Sequence, residues 1–184
     1  INAIDGDLGD LETRLEALET TAQKVSLLVD QIQSVSLMTE YLDNAVYASY
    51  GNANSGYVEK PITLDYIVRP AKAMGLLLDI CSDKGTLSDV LSAKVDYQTG
   101  WLNSLPVTDA VLTDDILTVT VDAGQIEKDF YDGHLSASVA LQISDGNTEI
   151  LSDFANLVPK EHLVLRVADN SNIPAMRGAN MSFE

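Results

Sequence analysis

The sequence predicts a mainly β protein in which an N-terminal α-helical coiled coil precedes an antiparallel β-sandwich with one short inserted helix. Two patterns lead to this prediction. Apolar residues recur at alternating spacings of three and four up to Ile32, and from Gln33 onward they alternate with polar residues in short stretches separated by turn signals. We therefore assign residues 1–33 to a coiled-coil oligomerisation helix, residues 34–168 to the sandwich domain and residues 169–184 to a linker or C-terminal arm.

The helical prediction depends on five consecutive heptads. Their a and d positions form a narrow apolar seam, which favours a coiled coil over a helix docked on a globular domain, because a docked helix usually has a wider apolar face. The predicted interface between copies consists of Ile4, Leu8, Leu11, Leu15, Leu18, Ala22, Val25, Val29 and Ile32. The β-branched residues at d, which are Ile4, Val25 and Ile32, favour a trimer over a dimer.

Alternating stretches predict strands through most of the remaining chain. The clearest is PITLDYIVRP, in which Leu64, Tyr66 and Val68 share one face. Similar stretches are QSVSLMTEY, DNAVYASYGN, DVLSAKVDYQ, LPVTDAVLT, DILTVTVD, LSASVALQIS and EHLVLRVADN. Asp145-Gly146 predicts a tight hairpin turn after the penultimate stretch. About eight strands with frequent turn signals indicate an antiparallel sandwich.

One helix is predicted between the strands. Pro70 suits the first turn of a helix, and Met74, Leu77 and Cys81 follow at positions that share one helical face. Gly85 is expected to end this helix. The sequence therefore places a short buried helix directly after the clearest strand.

The charge of the chain limits its partners. The 28 acidic and 11 basic side chains give a formal net charge of −17. Such a surface repels phosphate backbones and anionic lipids, so we expect no nucleic-acid partner and no direct binding to bare membrane. The acidity is interpreted first as a contribution to solubility and second as a possible attraction for cations.

No residue pattern predicts catalysis, a metal site or a cofactor. His134 and His162 belong to no recognisable catalytic motif, although a triad assembled in space stays open. Cys81 is expected to be a small buried side chain rather than a nucleophile. Aspartates near turns could ligate calcium, but none matches the EF-hand loop, and turns commonly use such residues for their own hydrogen bonds. We therefore expect a protein that is not an enzyme.

Aromatic residues suggest one possible binding surface. Tyr97 and Trp101 flank the QTG turn, and Tyr57 follows a polar loop rich in glycine and asparagine. Aromatic faces can bind sugars, so these three residues are the candidate ligand-binding residues. Tyrosines on strands also serve commonly as half-buried packing residues, and this alternative stays open.

Several segments together resemble a known family. A coiled coil of the type LETRLEALE leads into QSVSLMTEY and is followed by ITLDYIVRPAKAM and LQISDGNTEILSDFANLVP. These segments resemble the N-terminal regions of surface-exposed lipoproteins of the Bacteroidetes, in which a coiled coil precedes immunoglobulin-like sandwich domains. The resemblance covers about residues 8–160. It implies an immunoglobulin-like sandwich, an extracytoplasmic location at the outer-membrane surface, and a lipid anchor upstream of Ile1 as the only attachment to membrane.

The expected function is that of a non-catalytic structural or adhesive segment at the cell surface. In this hypothesis the coiled-coil stalk forms a homo-oligomer and presents the sandwich to another protein or to a surface glycan. The alternative is a carbohydrate-binding module of a surface glycan-capture protein, based on the aromatic residues. An enzyme of unknown type is a third hypothesis.

Overall fold

The structure is a computed structural model, and its described part contains four helices and ten strands. It describes residues 10–38, 46–53, 56–59, 61–97, 102–122 and 137–160, and it describes side chains at 10–38, 61–97, 103–122 and 137–157. The helices are α1 at residues 10–16, α2 at Thr21–Gln31, α3 at Ala71–Lys84 and α4 at Leu87–Val90.

The strands form one continuous path of neighbours. Their bounds are β1 Ser34–Leu37, β2 Val46–Ala53, β3 Gly56–Glu59, β4 Ile62–Arg69, β5 Leu91–Asp96, β6 Leu102–Thr113, β7 Ile116–Val121, β8 Ala137–Ser144, β9 Glu149–Leu151 and β10 Ala155–Lys160. The order across the sheet is β1-β4-β7-β6-β5-β8-β10-β2-β3, and β9 also pairs with β8. All described ladders are antiparallel except that between β10 and β2.

Strand β6 changes partners along its length, and this change curls the sheet. Its first half, from Leu102 to Pro106, pairs with β5, while its second half, from Val107 to Thr113, pairs with β7. The register shifts between Val107 and Asp109. Such an irregularity bends a strand and increases its twist, so β6 carries the sheet around a corner.

The curled sheet nearly closes into a barrel, because β1 comes close to β9. In the described ladders β1 pairs only with β4, and β9 pairs only with β8. Six antiparallel steps lead from β1 around to β9, so these two strands run in the same direction. No ladder joins them among the residues that the structure describes.

The apolar core fills the concave side of this sheet. The inward residues alternate along β4, where Leu64, Tyr66 and Val68 are all fully buried. Helix α3 adds its own apolar face to the same core through Ala73, Met74, Leu77, Leu78 and Cys81. The helix packs against β4 and β6, and Gly75 lies opposite Leu112 near the end of β6.

Most of the individual strand predictions and the helix prediction are confirmed. The structure has strands in the predicted alternating stretches it describes, and the stretch EHLVLRVADN lies outside the described residues. Helix α3 ends as predicted at Gly85, which adopts a left-handed conformation with φ of 65° and donates its amide to Cys81 O. A glycine reaches this conformation without the steric cost that a Cβ atom brings.

The predicted immunoglobulin-like sandwich is not confirmed, because the ten strands are joined in one curled sheet. Strand β6 hydrogen-bonds to both β5 and β7 and so links their two groups of strands, as a strand does where it passes from one sheet to another at a bulge. Strand β10 makes a second link, since it pairs with both β8 and β2. Alternation along each strand is the same in both architectures, so it could not distinguish them.

The predicted uninterrupted helix over residues 1–33 is also corrected for its described portion. Residues 17–20 lie between α1 and α2 and are not helical. Leu11 of α1 and Val29 of α2 both belong to the core that contains the strand residues. The described helices and the strands thus share one core.

Candidate functional site: the N-terminal helical arm

The N-terminal helical arm, defined here as residues 10–33, is the element whose observed structure differs most from the coiled-coil helix that the sequence predicts. Its second helix, α2, begins at a capping box: the Gln23 amide donates to Thr20 Oγ1 at 3.2 Å, and the Thr20 amide donates to Gln23 Oε1 at 3.1 Å. This reciprocal pair satisfies two amides that a helix start leaves without intrahelical partners. The sequence therefore fixes the start of α2 locally.

Helix α2 buries one face against the rest of the chain. Val25, Leu28 and Val29 are buried, and Ile32 follows them just after the helix end. These positions have the i, i+3, i+4, i+7 spacing of a helix docked on a globular core. Leu28 and Val29 are fully buried, and full burial of such a side chain contributes about 1.5–3 kcal/mol.

Two side-chain hydrogen bonds connect α2 to the turn between β8 and β9. Ser26 Oγ donates to Asp145 Oδ2 at 2.6 Å, and Thr148 Oγ1 donates to Asp30 Oδ1 at 3.3 Å. We call this pair the helix–hairpin contact. It joins the helical arm to residues more than a hundred positions away, at the point where the barrel nearly closes.

Asp145 is held in its ionised form by the same geometry. The Ser26 hydroxyl, followed by the amides of Thr148 and Asn147, donates hydrogen bonds that hold the pKa of the Asp145 carboxyl below its ordinary value of 3.8. The two amides donate to Oδ1 at 2.6 Å and 2.8 Å. Asp145 therefore uses its carboxylate oxygens for the hydrogen bonds of its own turn and for the bond to α2.

An ion pair connects the first helix of the arm to α3. Lys72 Nζ lies 3.0 Å from Glu12 Oε1. Both side chains are substantially exposed, so the pair orients α1 more than it stabilises the fold. The burial of the neighbouring Leu11, which is 0% exposed, is the stronger attachment of α1 to the core.

The predicted interface residues divide into three groups. Leu11, Val25, Val29 and Ile32 are buried in the core of their own chain. Leu15 is partly buried against that core, whereas Leu18 is half-buried without belonging to it and Ala22 is exposed. Ile4 and Leu8 lie outside the described residues. In this conformation, only part of the seam is available to another copy.

The sequence also contains apolar residues next to the seam that indicate the docked face of α2. Leu28 occupies a heptad g position, and Leu27 precedes it at f. Together with Val25 and Val29 they widen the apolar stripe beyond the a and d positions that a coiled coil needs. Leu28 is therefore the residue that the heptad analysis missed, and stripe width is the criterion that could have found it.

The three candidate aromatic residues are not assembled into a site by the described structure. Tyr97 is buried, with 7% exposure, and its ring packs in the apolar core, so it offers no open face to a sugar. Tyr57 lies on strand β3, with its side chain outside the described part. Trp101 lies outside the described residues altogether.

Of the cysteine and the two histidines considered for catalysis, the structure describes only Cys81. Cys81 is fully buried within α3, as the sequence predicted for a small apolar side chain. His134 and His162 lie outside the described residues. Over the ranges that the structure describes, no three His, Cys, Asp or Glu side chains are grouped as metal ligands would be.

No protein-family model matches the sequence, and no curated protein matches it. A separate finding concerns membranes: among the described helices, none has both the length and the apolar character needed to cross a bilayer.

Proposed function

We propose that this chain is a structural, self-associating segment that presents a β domain at a cell surface. The observation that carries the proposal is the heptad seam of the helical arm, which continues without a slip from Leu11 to Ile32 although the helix is interrupted at residues 17–20. The fold uses only some of the seam. Leu18 and Ala22 lie on it outside the apolar core, so apolar positions are available to another copy.

The surface location is the second part of the proposal. Its support is the resemblance to surface lipoproteins in the segments from the LETRLEALE stretch to the β8–β9 region, together with the net charge of −17. Electrostatic repulsion keeps such a chain soluble and directs its association through apolar contacts rather than through contacts between its acidic faces.

Sedimentation velocity over the micromolar range tests self-association. We expect the sedimentation coefficient to rise with concentration, and we expect the double variant Leu18→Glu with Ala22→Glu to remain a folded monomer, because charges on the seam oppose its burial. Thr13→Glu is the matched control, since Thr13 is exposed and lies off the seam. A chain that stays monomeric at every concentration would contradict the proposal.

Protease treatment of intact cells tests the location. The protein is expected to be cut within residues 1–184 when protease is added outside the cell, while a periplasmic marker stays intact. Complete protection of the segment in cells with an accessible surface marker would exclude surface presentation and leave self-association to be judged separately.

A further inference from the structure

We infer that self-association proceeds by exchange of helix α1 between two copies of this chain. In the exchanged state, residues 17–20 become helical, α1 and α2 form one continuous helix, and α1 occupies the core position of the partner copy. This inference rests on the proposed function, which it deepens by naming the partner as a second copy and α1 as the exchanged element.

The first argument is the sequence of residues 17–20, which we call the bend. Residues 17–20 are Ala-Leu-Glu-Thr, and they contain neither glycine nor proline. Alanine, leucine and glutamate are among the best helix formers, so the local sequence favours a continuous helix through the bend. The Thr20–Gln23 capping box opposes this preference locally. Tertiary contacts add to it, because Leu11 and Leu28 both reach the core of the same chain, one from each side of residues 17–20.

Continuity of the apolar pattern is the second argument. The a and d positions keep their register across the bend, so a continuous helix places Leu11, Leu18 and Val25 along one face. From residue 10 to residue 31 such a helix is about 33 Å long. It would carry Leu11 away from its own core, and the α1 of a second copy has the same residues to fill the vacated position.

The attachment of α1 to the domain is the third argument. Helix α1 contacts the core through the buried Leu11 and the partly buried Leu15, and its described ion pair with the domain, Glu12–Lys72, is exposed. Helix α2 is held more firmly, by its buried face and by the helix–hairpin contact. Exchange therefore needs the release of α1 alone, and α1 then forms the same interactions with the partner copy that it had with its own chain.

Reciprocal exchange gives a closed dimer. Each copy donates one α1 and receives one, so no unfilled position remains to continue the assembly. The bend acts as the hinge, and its capping box competes with the continuous helix because Thr20 caps α2 only when residues 17–20 are not helical.

One substitution is expected to block exchange without disturbing the monomer. Thr21 is the first residue of α2, a position where proline is favoured, and Thr20 before it already has the extended conformation, with φ of −111° and ψ of 151°, that proline requires. In a continuous helix the proline ring would clash with the Ala17 carbonyl. We expect Thr21→Pro to weaken dimerisation by about 100-fold per chain.

A second substitution is expected to act in the opposite direction. Thr20→Ala removes the cap that only the bent form uses, so the dimer should be favoured by about fivefold per chain. Thr13→Ala is the matched control, because Thr13 is helical in both forms and caps neither. Equal dimerisation of the Thr20→Ala and Thr13→Ala proteins would count against the bend as the hinge.

Isotope-coded cross-linking identifies the exchange directly. Light and heavy copies are mixed, incubated to equilibrium, and treated with a carbodiimide, which couples the Glu12 carboxylate to the Lys72 amine 3.0 Å away. The dimer fraction should contain Glu12–Lys72 peptides that join light to heavy chains, and the monomer fraction of the Thr21→Pro protein should contain only unmixed peptides. Near-ultraviolet circular dichroism of this variant checks that its monomer is folded.

The outcomes separate this inference from the proposed function. A dimer that contains only unmixed Glu12–Lys72 peptides, or one that Thr21→Pro leaves equally stable, overturns exchange while self-association stands. A chain that remains monomeric throughout overturns both.

Discussion

Ser26 donates its hydroxyl hydrogen to Asp145 Oδ2 at 2.6 Å, and this bond connects the N-terminal helical arm to the β8–β9 turn. The two residues are 119 positions apart in the chain. Neither the residue types nor the local sequence pattern predicts that these two residues form a hydrogen bond. The bond lies near the place where β1 comes close to β9, and it helps to attach α2 to the domain.

Replacing Ser26 by alanine should weaken that attachment. The change removes one partly buried hydrogen bond, and we expect the free energy of unfolding to fall by about 1 kcal/mol. Ser82→Ala is the matched control, because Ser82 is exposed on α3. Denaturant titration gives the change in stability. Equal stability of the two variants would show that the bond contributes nothing to holding α2.

The stability of the protein should fall in acid partly through Asp145. Hydrogen bonds from the Ser26 hydroxyl and then from the Thr148 and Asn147 amides lower the pKa of this carboxyl in the folded state. A lowered pKa means that the stabilisation is fully present above the unfolded-state pKa, and it is lost as the pH falls below about 4 through the folded-state pKa.

The variant Asp145→Asn isolates this contribution, since asparagine keeps an acceptor oxygen but does not titrate. Its unfolding free energy should depend less steeply on pH between about pH 5 and pH 2 than that of the original chain. Asp153→Asn, on an exposed residue of the same region, controls for the loss of one negative charge. Parallel pH profiles of all three proteins would refute the role of Asp145.

Cys81 should be unreactive while the protein is folded. Its side chain is fully buried, and burial, followed by the nearby Asp89 carboxylate, raises the pKa of the thiol. Alkylation by iodoacetamide at neutral pH should therefore be slow in the folded protein and should rise to the rate of a free cysteine in denaturant. Reaction in the folded state at the rate of a small-molecule thiol would contradict the position of α3 in the core.

Replacement of glycine by alanine should have opposite effects on the stability of the protein at Gly75 and at Gly85. At Gly75, inside α3, an added Cβ atom would lie 3.5 Å from Leu112 Cδ2, an ordinary contact, so Gly75→Ala should stabilise the protein by about 0.5–1 kcal/mol. At Gly85 the backbone has φ of 65°, so Gly85→Ala should destabilise it by about 1 kcal/mol. Thermal unfolding of the two variants measures both signs.

If both alanine variants were destabilised, the space opposite Gly75 would be smaller than the structure indicates. If Gly85→Ala were neutral, the helix would end without a left-handed residue. The pair thus tests separately how α3 packs and how it ends.

Local features were predictable from the sequence because they depend on neighbouring residues. Alternation in PITLDYIVRP determines which side chains of β4 face the core, and the spacing of Met74, Leu77 and Cys81 determines the buried face of α3. The left-handed end at Gly85 and the turn at Asp145-Gly146 follow from residue type in the same way.

The tertiary structure alone decided what covers each apolar face. Periodicity identifies such a face but does not name its partner, so the same seam from Leu11 to Ile32 is compatible with another copy and with the chain's own core. Strand pairing is equally non-local, which is why the double role of β6 and the parallel pairing of β10 with β2 could not be predicted. The bend at residues 17–20 has both kinds of cause: the Thr20–Gln23 capping box starts α2 locally, and the burial of Leu11 in the core holds α1 in a separate direction.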